Sequence, residues 1–468
     1  MMLSPAVLHA FRAYDIRGVV GPGFDAVFAE NFGRAYGTHL LQRKDACPPN
    51  SSGVVVARDC RLSSPSFHRA LIRGLCSTGL NVVDLGAAPS PCLYFAVLHL
   101  KKTAGIMVTA SHNPREYNGF KLWMGNEVPE ERELEAVRKI LEQGAYAEGA
   151  GTVTFCDMLP LYVEDVVRRF PSCRPFRVVL DGSSGVAGKI CTRILRALGA
   201  DVTELFCEPD GNFPHHPPDP MKEEHLAALR AAVLKSGADI GLGIDGDGDR
   251  LAVMDERGRL LMADEVLSLF ARDLLSRHPG AVILGDVKCS DRLFADVIQH
   301  GGVPEMCPSG RSRIRAALHA RGALLAGELS GHIFHRENWY GFDDAIYCAA
   351  RLLSILSGIA QPLSALPGWP SSFATPEINL PCPDHIKSRV VDEARRWYEA
   401  HFPVNALDGV RIDFGKAWGL IRASNTSPSL SLRFEAERRD RAELLRSEAE
   451  HRIGLWIEEA LKGQKGPR

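Results

Sequence analysis

The chain has 468 residues, of which 45% are hydrophobic and 24% are charged, and its formal net charge is −2. This is ordinary globular composition, and at roughly 100–200 residues per domain the length predicts three or four domains. The near-zero charge, with neither a basic arm nor an acidic tail, argues against nucleic acid or an anionic membrane as a partner.

The first residues lack the charged and apolar segments of a signal peptide. No apolar run approaches the ~20 residues of a membrane helix. The twelve cysteines form no CxxC pair, so neither a zinc site nor a redox motif is expected. We therefore expect a cytoplasmic protein with reduced thiols.

One pattern occurs three times before residue 370. An apolar run ending in aspartate precedes a helical stretch, a glycine and a second apolar run, which is the order of a βαβ unit. Short apolar strands of this kind favour a mainly parallel sheet that binds ligands at its strand ends. The first runs are 54–59, 178–181 and 282–286; the helical stretches are 67–77, 190–198 and 292–300; the second runs are 82–85, 202–206 and 303–306.

The remainder of the chain lacks this unit. It contains helix candidates at 387–401 and 441–461 and strand candidates at 409–414, 418–422 and 430–434, the last alternating apolar and polar residues. The predicted fold is three similar α/β domains with mixed, mainly parallel sheets and a C-terminal α+β domain, arranged around a central active-site cleft. The predicted domains are residues 1–155, 156–256, 257–369 and 370–468.

The segment Thr109–Pro114 follows an apolar run and reads TASHNP. Pro114 cannot continue a strand, so the chain must turn and expose Ser111 beside the imidazole of His112. This arrangement suits a serine that accepts a phosphoryl group. A polar turn without chemistry is the alternative. A Ser–His hydrolase is disfavoured because the Gly-x-Ser-x-Gly elbow is absent.

A second loop, Asp245–Arg250, reads DGDGDR after another apolar run. Three carboxylates within five residues repel one another, and a hard divalent cation relieves that repulsion. An EF-hand is excluded because Arg250 occupies the sixth position, where glycine is required, and an apolar strand follows. The few ligands and the open side favour Mg²⁺ shared with a phosphate.

Two further loops have weaker signals. Glu328, Ser330 and His332, in GELSGH, can bind sugar hydroxyls, and the imidazole can titrate near neutral pH. Arg422 begins the segment RASNTSP, whose hydroxyl, amide and guanidinium donors suit a phosphate. In the first loop the structural alternative is a capping box that includes Glu328, with His332 as a hydrogen-bonded loop residue. In the second it is an Asx or Ser/Thr turn before Pro428.

Single residues complete the set of candidates. Arg17, in AYDIRG near the N-terminus with Tyr14, could clamp a phosphate, although a surface arginine is the default interpretation. Lys121 lies ten residues after Ser111 and is predicted to return toward it. Lys288 follows the first strand of the third repeat. A serine, a metal loop, a sugar clamp and a phosphate clamp are together the components of phosphoryl transfer to and from a polyol phosphate.

These motifs, in this order and over nearly the whole chain, resemble the α-D-phosphohexomutase family. AYDIRG at 13–18, GELSGH at 327–332 and RASNT at 422–426 look most like the branch of bacterial phosphomannomutases/phosphoglucomutases. The resemblance implies a reversible transfer of phosphate between C1 and C6 of mannose or glucose phosphate. Hexose phosphates would be the substrates of a cytoplasmic enzyme that is a monomer.

The resemblance also implies that Ser111 is carried as phosphoserine and that a hexose 1,6-bisphosphate is the intermediate and the activator. Glu328 and Ser330 would bind O3 and O4 of the sugar. Proton transfer would fall to members of a set comprising Arg17, His112, Lys121 and His332. The implied metal ligands for Mg²⁺ are Ser111, Asp245, Asp247 and Asp249; the implied substrate contacts are Tyr14, Arg250, Lys288, Arg311, Glu328, Ser330, His332, Arg422, Ser424, Asn425 and Thr426.

One position departs from the branch, which usually has Gly-His where this chain has Gly310 and Arg311. Arginine is bulkier and cannot act as a base at neutral pH, so the sugar preference is more open than the reaction type. A phosphoglucosamine mutase is the nearest alternative, but that branch tends to have glutamine at the position of Leu329. A metal-dependent sugar phosphatase would pass the phosphate to water, and a sugar-phosphate sensor would bind its ligand without turnover; both interpretations stay open.

Overall fold

The computed structural model describes residues 5–12, 15–43, 53–124, 129, 131–424 and 427–462. The chain folds into three α/β units and a C-terminal α+β unit, which confirms the predicted fold class. The boundaries predicted between the domains stay predictions.

The first unit has a six-stranded sheet in the order β1-β5-β4-β2-β3-β6. Strands β4, β2, β3 and β6 are parallel, whereas β5 is antiparallel to β4 and to β1. Its elements are α1 (Pro5–Ala10), β1 (Asp15–Val19), α2 (Ala26–Gln42), β2 (Val54–Arg58), α3 (Ser64–Cys76), β3 (Val82–Ala87), α4 (Ser90–His99), β4 (Ala104–Val108), β5 (Tyr117–Met124), α5 (Glu131–Gln143) and β6 (Val153–Phe155).

The second unit has the sheet order β11-β10-β9-β7-β8. Strands β8, β7 and β9 are parallel, and β10 runs antiparallel to β9 and to β11. Its elements are α6 (Leu159–Val167), β7 (Arg177–Asp181), α7 (Gly188–Ala197), β8 (Asp201–Leu205), α8 (Ala227–Ser236), β9 (Ile240–Ile244), β10 (Leu251–Asp255) and β11 (Leu260–Leu261).

The third unit has the sheet order β13-β12-β14-β15. The first three of these strands are parallel and β15 is antiparallel to β14. Its elements are α9 (Ala263–Arg277), β12 (Val282–Asp286), α10 (Asp291–Gln299), β13 (Val303–Cys307), α11 (Arg311–Ala320), β14 (Leu325–Gly327), β15 (Ile333–His335) and α12 (Ala345–Ser357).

The C-terminal unit is an antiparallel sheet in the order β16-β21-β20-β19-β18, with β17 also paired to β21. The predicted strands and both helices are present, with ends that differ by a few residues. Its elements are β16 (Phe373–Ala374), β17 (Ile378–Pro381), α13 (Asp384–Glu399), β18 (Val404–Asn405), β19 (Val410–Asp413), β20 (Ala417–Ala423), β21 (Ser429–Ala436) and α14 (Arg439–Lys462).

The three α/β units share one arrangement that positions the site. In each, three parallel strands are followed by a fourth that returns antiparallel beside the third. The loop between the third and fourth strands leaves from the carboxyl end of the sheet, where α/β proteins bind ligands. These loops connect β4 to β5, β9 to β10 and β14 to β15, and they contain the serine, aspartate and sugar-loop motifs respectively.

The hydrophobic core also joins these units. One continuous cluster of buried side chains extends from Val55 in β2 through Leu242 in β9 to Leu325 in β14. The C-terminal unit has a separate cluster built around β19 to β21 and α14. Among the residues that the structure describes, no helix combines the length and the apolar character needed to cross a membrane.

Candidate active site

The serine loop holds Ser111 in a left-handed backbone conformation, with φ of 52°, and buries its side chain against the aspartate loop, so the predicted exposure of Ser111 is wrong. Its Oγ donates to Asp245 Oδ2 at 2.8 Å and lies 3.2 Å from His112 Nδ1. The Ser111 amide donates to Thr109 Oγ1 at 2.8 Å. The first and second units therefore meet at the serine hydroxyl, although 134 residues separate Ser111 from its carboxylate partner.

The aspartate loop turns tightly between β9 and β10, and its three carboxylates are fully buried. One oxygen from each of the three carboxylates lies within 4.8 Å of the other two. One oxygen of Asp245 accepts the backbone amides of Gly248, Asp249 and Arg250 at 3.0, 3.0 and 3.2 Å, which fixes the turn. Two antiparallel strands flank this loop, so the exclusion of an EF-hand agrees with the structure.

Gly246 allows the aspartate loop to approach the serine loop. A Cβ at this residue would lie 2.8 Å from the carbonyl oxygen of Ser111 and 3.3 Å from Pro218 Cβ. Backbone cannot yield as a flexible side chain does. Glycine is therefore required here by the close approach of two backbones.

Lys121 reaches the aspartate loop from β5. Its ammonium lies 2.6 Å from Asp247 Oδ2 and also pairs with Asp249 Oδ2. Burial opposes the charge, but these two carboxylates outweigh it and raise the pKa of Lys121. The lysine is thus a permanent cation that neutralises part of the aspartate loop.

The aspartates themselves differ in electrostatics. Burial, followed by repulsion from Asp249 and Asp247, raises the pKa of Asp245. Burial acts in the same direction on Asp249, but the cations Lys121 and His332 reverse it and hold the pKa of Asp249 well below its usual range. A divalent cation would remove the repulsion that raises the pKa of Asp245.

The loop fits a hard metal ion. All donors are carboxylate oxygens, the set that Mg²⁺ prefers. Asp247 Oδ1 is buried and has no hydrogen-bond partner within the described ranges, so it remains available as a ligand. A phosphate on Ser111 Oγ would lie beside these oxygens, since that Oγ already contacts Asp245.

The sugar loop joins the aspartate loop through His332. Its Nδ1 lies 2.9 Å from Glu328 Oε2, and its Nε2 lies 3.4 Å from Asp249 Oδ1. Ser330 Oγ donates to the same oxygen of Glu328 at 2.6 Å. Arg250, at the end of the aspartate loop, lies 3.4 Å from His332 Nε2. The third unit therefore contributes a hydrogen-bonded set of polar groups next to the aspartate loop.

The two histidines of the site are held in opposite protonation states. Loss of solvent contact, together with the charges of Arg250 and Arg17, lowers the pKa of His112 well below 6.5. Burial and Arg250 also oppose the charge on His332, but Asp249 and Glu328 outweigh them and raise its pKa to about 9. At neutral pH a neutral imidazole thus lies beside Ser111 and an imidazolium lies between the carboxylates.

Arg17, in β1, contacts the serine loop. Its guanidinium donates to Asp15 Oδ2 and to Asn113 Oδ1, both at 2.8 Å, and to the carbonyl of Ala110 at 3.4 Å. Tyr14 lies outside the described residues. Arg17 is thus beside the loop of Ser111 and pairs with the carboxylate of Asp15.

The segment predicted to bind a phosphate begins with Arg422, near the end of β20. Arg422 Nε donates to Asp408 Oδ2 at 3.1 Å, and its Nη2 is buried without a hydrogen-bond partner in the described part of the chain. Lys288 lies nearby, 3.3 Å from Glu377 Oε2, and Arg422 contributes to its electrostatic environment. Ser424 Oγ contacts Ser427 Oγ at 2.8 Å. Asn425 and Thr426 lie outside the described residues.

Arg311, the departure noted in the sequence, begins α11 and is buried. Its Nη1 donates to the hydroxyl of Tyr94, which stacks on Trp123 with ring centroids 4.5 Å apart. Its Nε and Nη2 have no hydrogen-bond partner among the described residues. Burial opposes its charge, but Tyr94, Asp343 and Asp249 raise its pKa.

Sequence reasoning missed two residues that contact the site. Ser90 Oγ, at the start of α4, donates to Asp247 Oδ2 at 2.5 Å. Asp343 Oδ2 lies 3.9 Å from His332 Nε2, and the two residues form a cluster with Asp249. The paired carboxylates of 343–344 were a visible signal for the second residue, whereas Ser90 lies in an apolar stretch without one.

A serine contacts a loop of three buried carboxylates, and the third unit contacts the same loop through His332. These are components that metal-dependent phosphoryl transfer requires. The chain belongs to the phosphoglucomutase/phosphomannomutase family of enzymes, because the family's four domain models match it in order. The α/β/α domains I, II and III match residues 8–148, 160–258 and 262–369, and the C-terminal domain matches residues 377–451. The resemblance found in the sequence is thereby confirmed.

Individual relatives agree with this assignment. The chain is 44% identical over 441 residues to a phosphomannomutase/phosphoglucomutase of Pseudomonas aeruginosa, covering 93% of this chain and 94% of the relative. It is 40% identical to a phosphoglucomutase of Neisseria gonorrhoeae, covering 91% and 93% of the two chains. A crystal structure of a phosphoglucomutase/phosphomannomutase family protein from Burkholderia thailandensis superposes with a TM-score of 0.87 at 39% identity, covering 100% of this chain and 99% of that one.

Proposed function

We propose that this enzyme moves a phosphate between C1 and C6 of mannose or glucose phosphate, through phosphoserine at Ser111 and a hexose 1,6-bisphosphate. The observation that carries the proposal is the 2.8 Å contact between Ser111 Oγ and Asp245 in a loop of three buried aspartates. It joins a nucleophile to a set of metal ligands, and the sugar loop contacts the same aspartates through His332.

The reaction has two balanced halves. A free hydroxyl of the sugar monophosphate attacks the phosphorus of phosphoserine, the bond from phosphorus to Ser111 Oγ breaks, and Oγ gains a proton as the sugar hydroxyl loses one. The hexose 1,6-bisphosphate then turns in the cleft. Ser111 Oγ attacks the other phosphate, the bond from that phosphorus to the sugar oxygen breaks, and the sugar oxygen gains a proton as Oγ loses one. This step regenerates phosphoserine and releases the isomeric monophosphate.

Asp245, Asp247, Asp249 and the phosphate on Ser111 would hold Mg²⁺, which supplies charge neutralisation at the transferring phosphoryl group when it is bound. His112 Nδ1 lies 3.2 Å from the serine oxygen, and its lowered pKa keeps it neutral, so we assign it the proton of Ser111. His332 is charged at neutral pH and is the candidate acid at the sugar side. Arg17 and Lys121 orient the serine and aspartate loops respectively.

Glu328 and Ser330 would bind O3 and O4 of the sugar, which are presented similarly in both orientations of the intermediate. Their mutual hydrogen bond at 2.6 Å places two polar groups side by side, as vicinal hydroxyls require. The remaining contacts that we propose for the substrate hold its phosphates and ring oxygens: Tyr14, Arg250, Lys288, Arg311, His332, Arg422, Ser424, Asn425 and Thr426.

All the loops of the site come from one chain, which supports a monomer as the working unit, in the cytoplasm, with hexose phosphates as its partners and hexose 1,6-bisphosphate as its activator. Leu329 has no amide with which to meet an amino group, so we propose mannose and glucose phosphates as the substrates in place of glucosamine phosphate. Arg311 occupies a position beside the site where its two buried donors can contribute to that preference.

A coupled assay for conversion of glucose 1-phosphate to glucose 6-phosphate tests the proposal. It contains Mg²⁺ and a trace of glucose 1,6-bisphosphate, with mannose 1-phosphate and glucosamine 1-phosphate run in parallel. We expect conversion of the first two sugars. Conversion of glucosamine phosphate alone, release of free phosphate without isomerisation, or no reaction from folded protein would each contradict the proposal.

A further inference from the structure

Arg61 is fully buried in the loop between β2 and α3, beneath the serine loop. Its Nη1 donates to the carbonyls of Pro114 and Tyr117 at 2.6 and 3.0 Å, and its Nη2 donates to those of Ser111 and Asn113 at 2.8 and 2.6 Å. Its Nε donates to Asp59 Oδ2 at 3.1 Å. All five donors of the guanidinium are therefore used, four of them on the backbone of one loop.

We propose that Arg61 is a positioning residue that holds the loop of Ser111 in the shape needed for phosphoryl transfer. The inference rests on the proposed role of Ser111 as the phosphate carrier. Arg61 has no donor left for a substrate, so it would act entirely through the serine loop.

Asp59 connects Arg61 to the other side of the serine. One of its oxygens, Oδ2, accepts both Arg61 Nε and the hydroxyl of Thr109, the latter at 2.7 Å. Thr109 Oγ1 in turn accepts the amide of Ser111 at 2.8 Å. The amide and the carbonyl of Ser111 are thus both tied to Asp59, one through Thr109 and one through Arg61.

The backbone conformation of Ser111 explains why both hydrogen-bonded connections to Asp59 are needed. Its φ of 52° lies in the left-handed region, which is unfavourable for a residue with a Cβ. Such a conformation persists where the surroundings hold it in place, and it clusters at active sites. Holding both peptide groups of Ser111 in this conformation directs its Oγ toward Asp245.

The loop that contains Arg61 also contacts the unit that carries the aspartates. Arg61 forms an isolated backbone bridge with Gly211, and Cys60 Sγ donates to the carbonyl of Ser184 at 3.3 Å. The guanidinium lies over the ring of Phe213 with its carbon 5.2 Å from the centroid. Arg61 therefore contacts the second unit as well as the backbone of the serine loop, so it helps to position that loop relative to the second unit.

Lysine cannot replace this network. Lysine retains the charge, but its three N–H donors all lie on one nitrogen. They cannot reach the four carbonyl oxygens that the planar guanidinium binds with two nitrogens. Comparing Arg61→Lys with the wild-type protein thus separates geometry from charge. Arg73→Lys is the matched control, since Arg73 lies on the adjacent helix α3 and is exposed in an ion pair with Glu30.

The test measures kcat and KM for glucose 1-phosphate together with hydrogen exchange of residues 109–119. For Arg61→Lys we expect kcat to fall about 10- to 100-fold, the effect of a small misplacement, with KM changed little. We expect faster exchange in that segment and unchanged exchange in the sheet core. Arg73→Lys should match the wild type in both readouts.

An Arg61→Lys enzyme with wild-type kcat, or one with lower kcat but unchanged exchange at 109–119, would overturn the proposal. If Arg61→Lys does not fold, Asp59→Asn weakens the same anchor with little change in volume, and wild-type kcat and exchange in that variant would also overturn it. The exchange readout does not depend on turnover. A wild-type protein without mutase activity would therefore count against the proposed function, separately from the positioning role.

Discussion

The three carboxylates of the aspartate loop make different contacts, although they are spaced regularly in the sequence. Asp245 fixes the turn with one oxygen and meets Ser111 with the other. Asp249 connects to Lys121 and to His332. Asp247 accepts Ser90 and Lys121 on one oxygen and leaves the other without a partner in the described ranges. Asp247 is therefore the residue whose loss should affect the metal with least damage to the turn.

Asp247→Asn should raise the Mg²⁺ concentration that half-saturates activity and should lower the maximal rate, because a neutral amide binds a hard cation poorly. A metal titration of the coupled assay measures this effect. Asp181→Asn is the matched control: Asp181 is a buried aspartate at the end of β7 that pairs with His216 at 3.1 Å. An unchanged metal requirement in Asp247→Asn would place the metal elsewhere.

At the scale of single residues, the sequence allowed us to predict candidate site residues that are close together in one motif. It could not predict partners that the fold brings from a distance. Lys121 was predicted to return toward Ser111, and β5 brings it to Asp247 and Asp249, which lie more than 120 residues away in the sequence and were not predicted as its partners. Ser90 and Arg61 gave no local signal, because their partners are 157 and 50 residues distant.

The recurring element is the hairpin between the third and fourth strands of each α/β unit. The sequence repeat predicted the parallel strands and their helices, since apolar runs and glycines mark them. It did not predict that each functional loop returns through an antiparallel strand, because β5, β10 and β15 lie outside the repeated βαβ pattern. This shared return explains why the three loops meet at one place.

Gly246→Ala tests the meeting of two such hairpins. A methyl group here would lie 2.8 Å from the carbonyl oxygen of Ser111, so the aspartate loop must move away from the serine. We expect kcat to fall about tenfold or more while the melting temperature changes little. At Gly21 an added Cβ meets nothing within 4 Å, and Gly21→Ala should leave kcat unchanged. Wild-type kcat in Gly246→Ala would show that the close approach is not needed.

Over the whole molecule, the three α/β units share one core, and the C-terminal unit attaches through polar contacts and a small apolar cluster of Val287, Trp418 and Leu420. Asp408 accepts the amide of Ser309 and a guanidinium nitrogen of Arg313 at 3.0 and 3.2 Å. Arg411 donates to the carbonyl of Cys289 at 3.1 Å and to Asp291 at 2.7 Å. The apolar periodicity predicted both kinds of unit, but the polar interface depends on side chains from distant segments.

The shared core contains a histidine that makes the molecule sensitive to acid. Burial, with the charges of Arg351 and Arg277, lowers the pKa of His335 to about 3 from 6.5. Its ring packs edge-on against Phe270 and Tyr347, with centroids 4.8 and 5.3 Å away. Because the folded pKa lies below the unfolded one, this group's contribution to stability is complete above about pH 6.5 and is lost as pH falls toward 3.

In the wild-type protein, His335 should make the free energy of unfolding fall as pH drops from 6.5 to 5. His335→Phe should therefore reduce the slope of unfolding free energy against pH by up to about 1.4 kcal/mol per pH unit. Urea denaturation at several pH values measures the slope. His451→Phe on α14, where the histidine is exposed, is the matched control and should keep the wild-type slope. Equal slopes in His335→Phe and wild type would mean that His335 takes up its proton in the folded state.

The most direct test of the account is peptide mass spectrometry of the serine loop during turnover. Protein freed of phosphate is exposed to Mg²⁺ and glucose 1,6-bisphosphate, and an excess of glucose 1-phosphate with an isotope-labelled phosphate is then added. We predict that Ser111 gains a phosphate in the first step and that the labelled phosphate of the sugar replaces it in the second, because each turnover regenerates phosphoserine from the other phosphate of the bisphosphate. A chain that isomerises the sugar with Ser111 unphosphorylated throughout, or with a phosphate there that never exchanges, would contradict the mechanism.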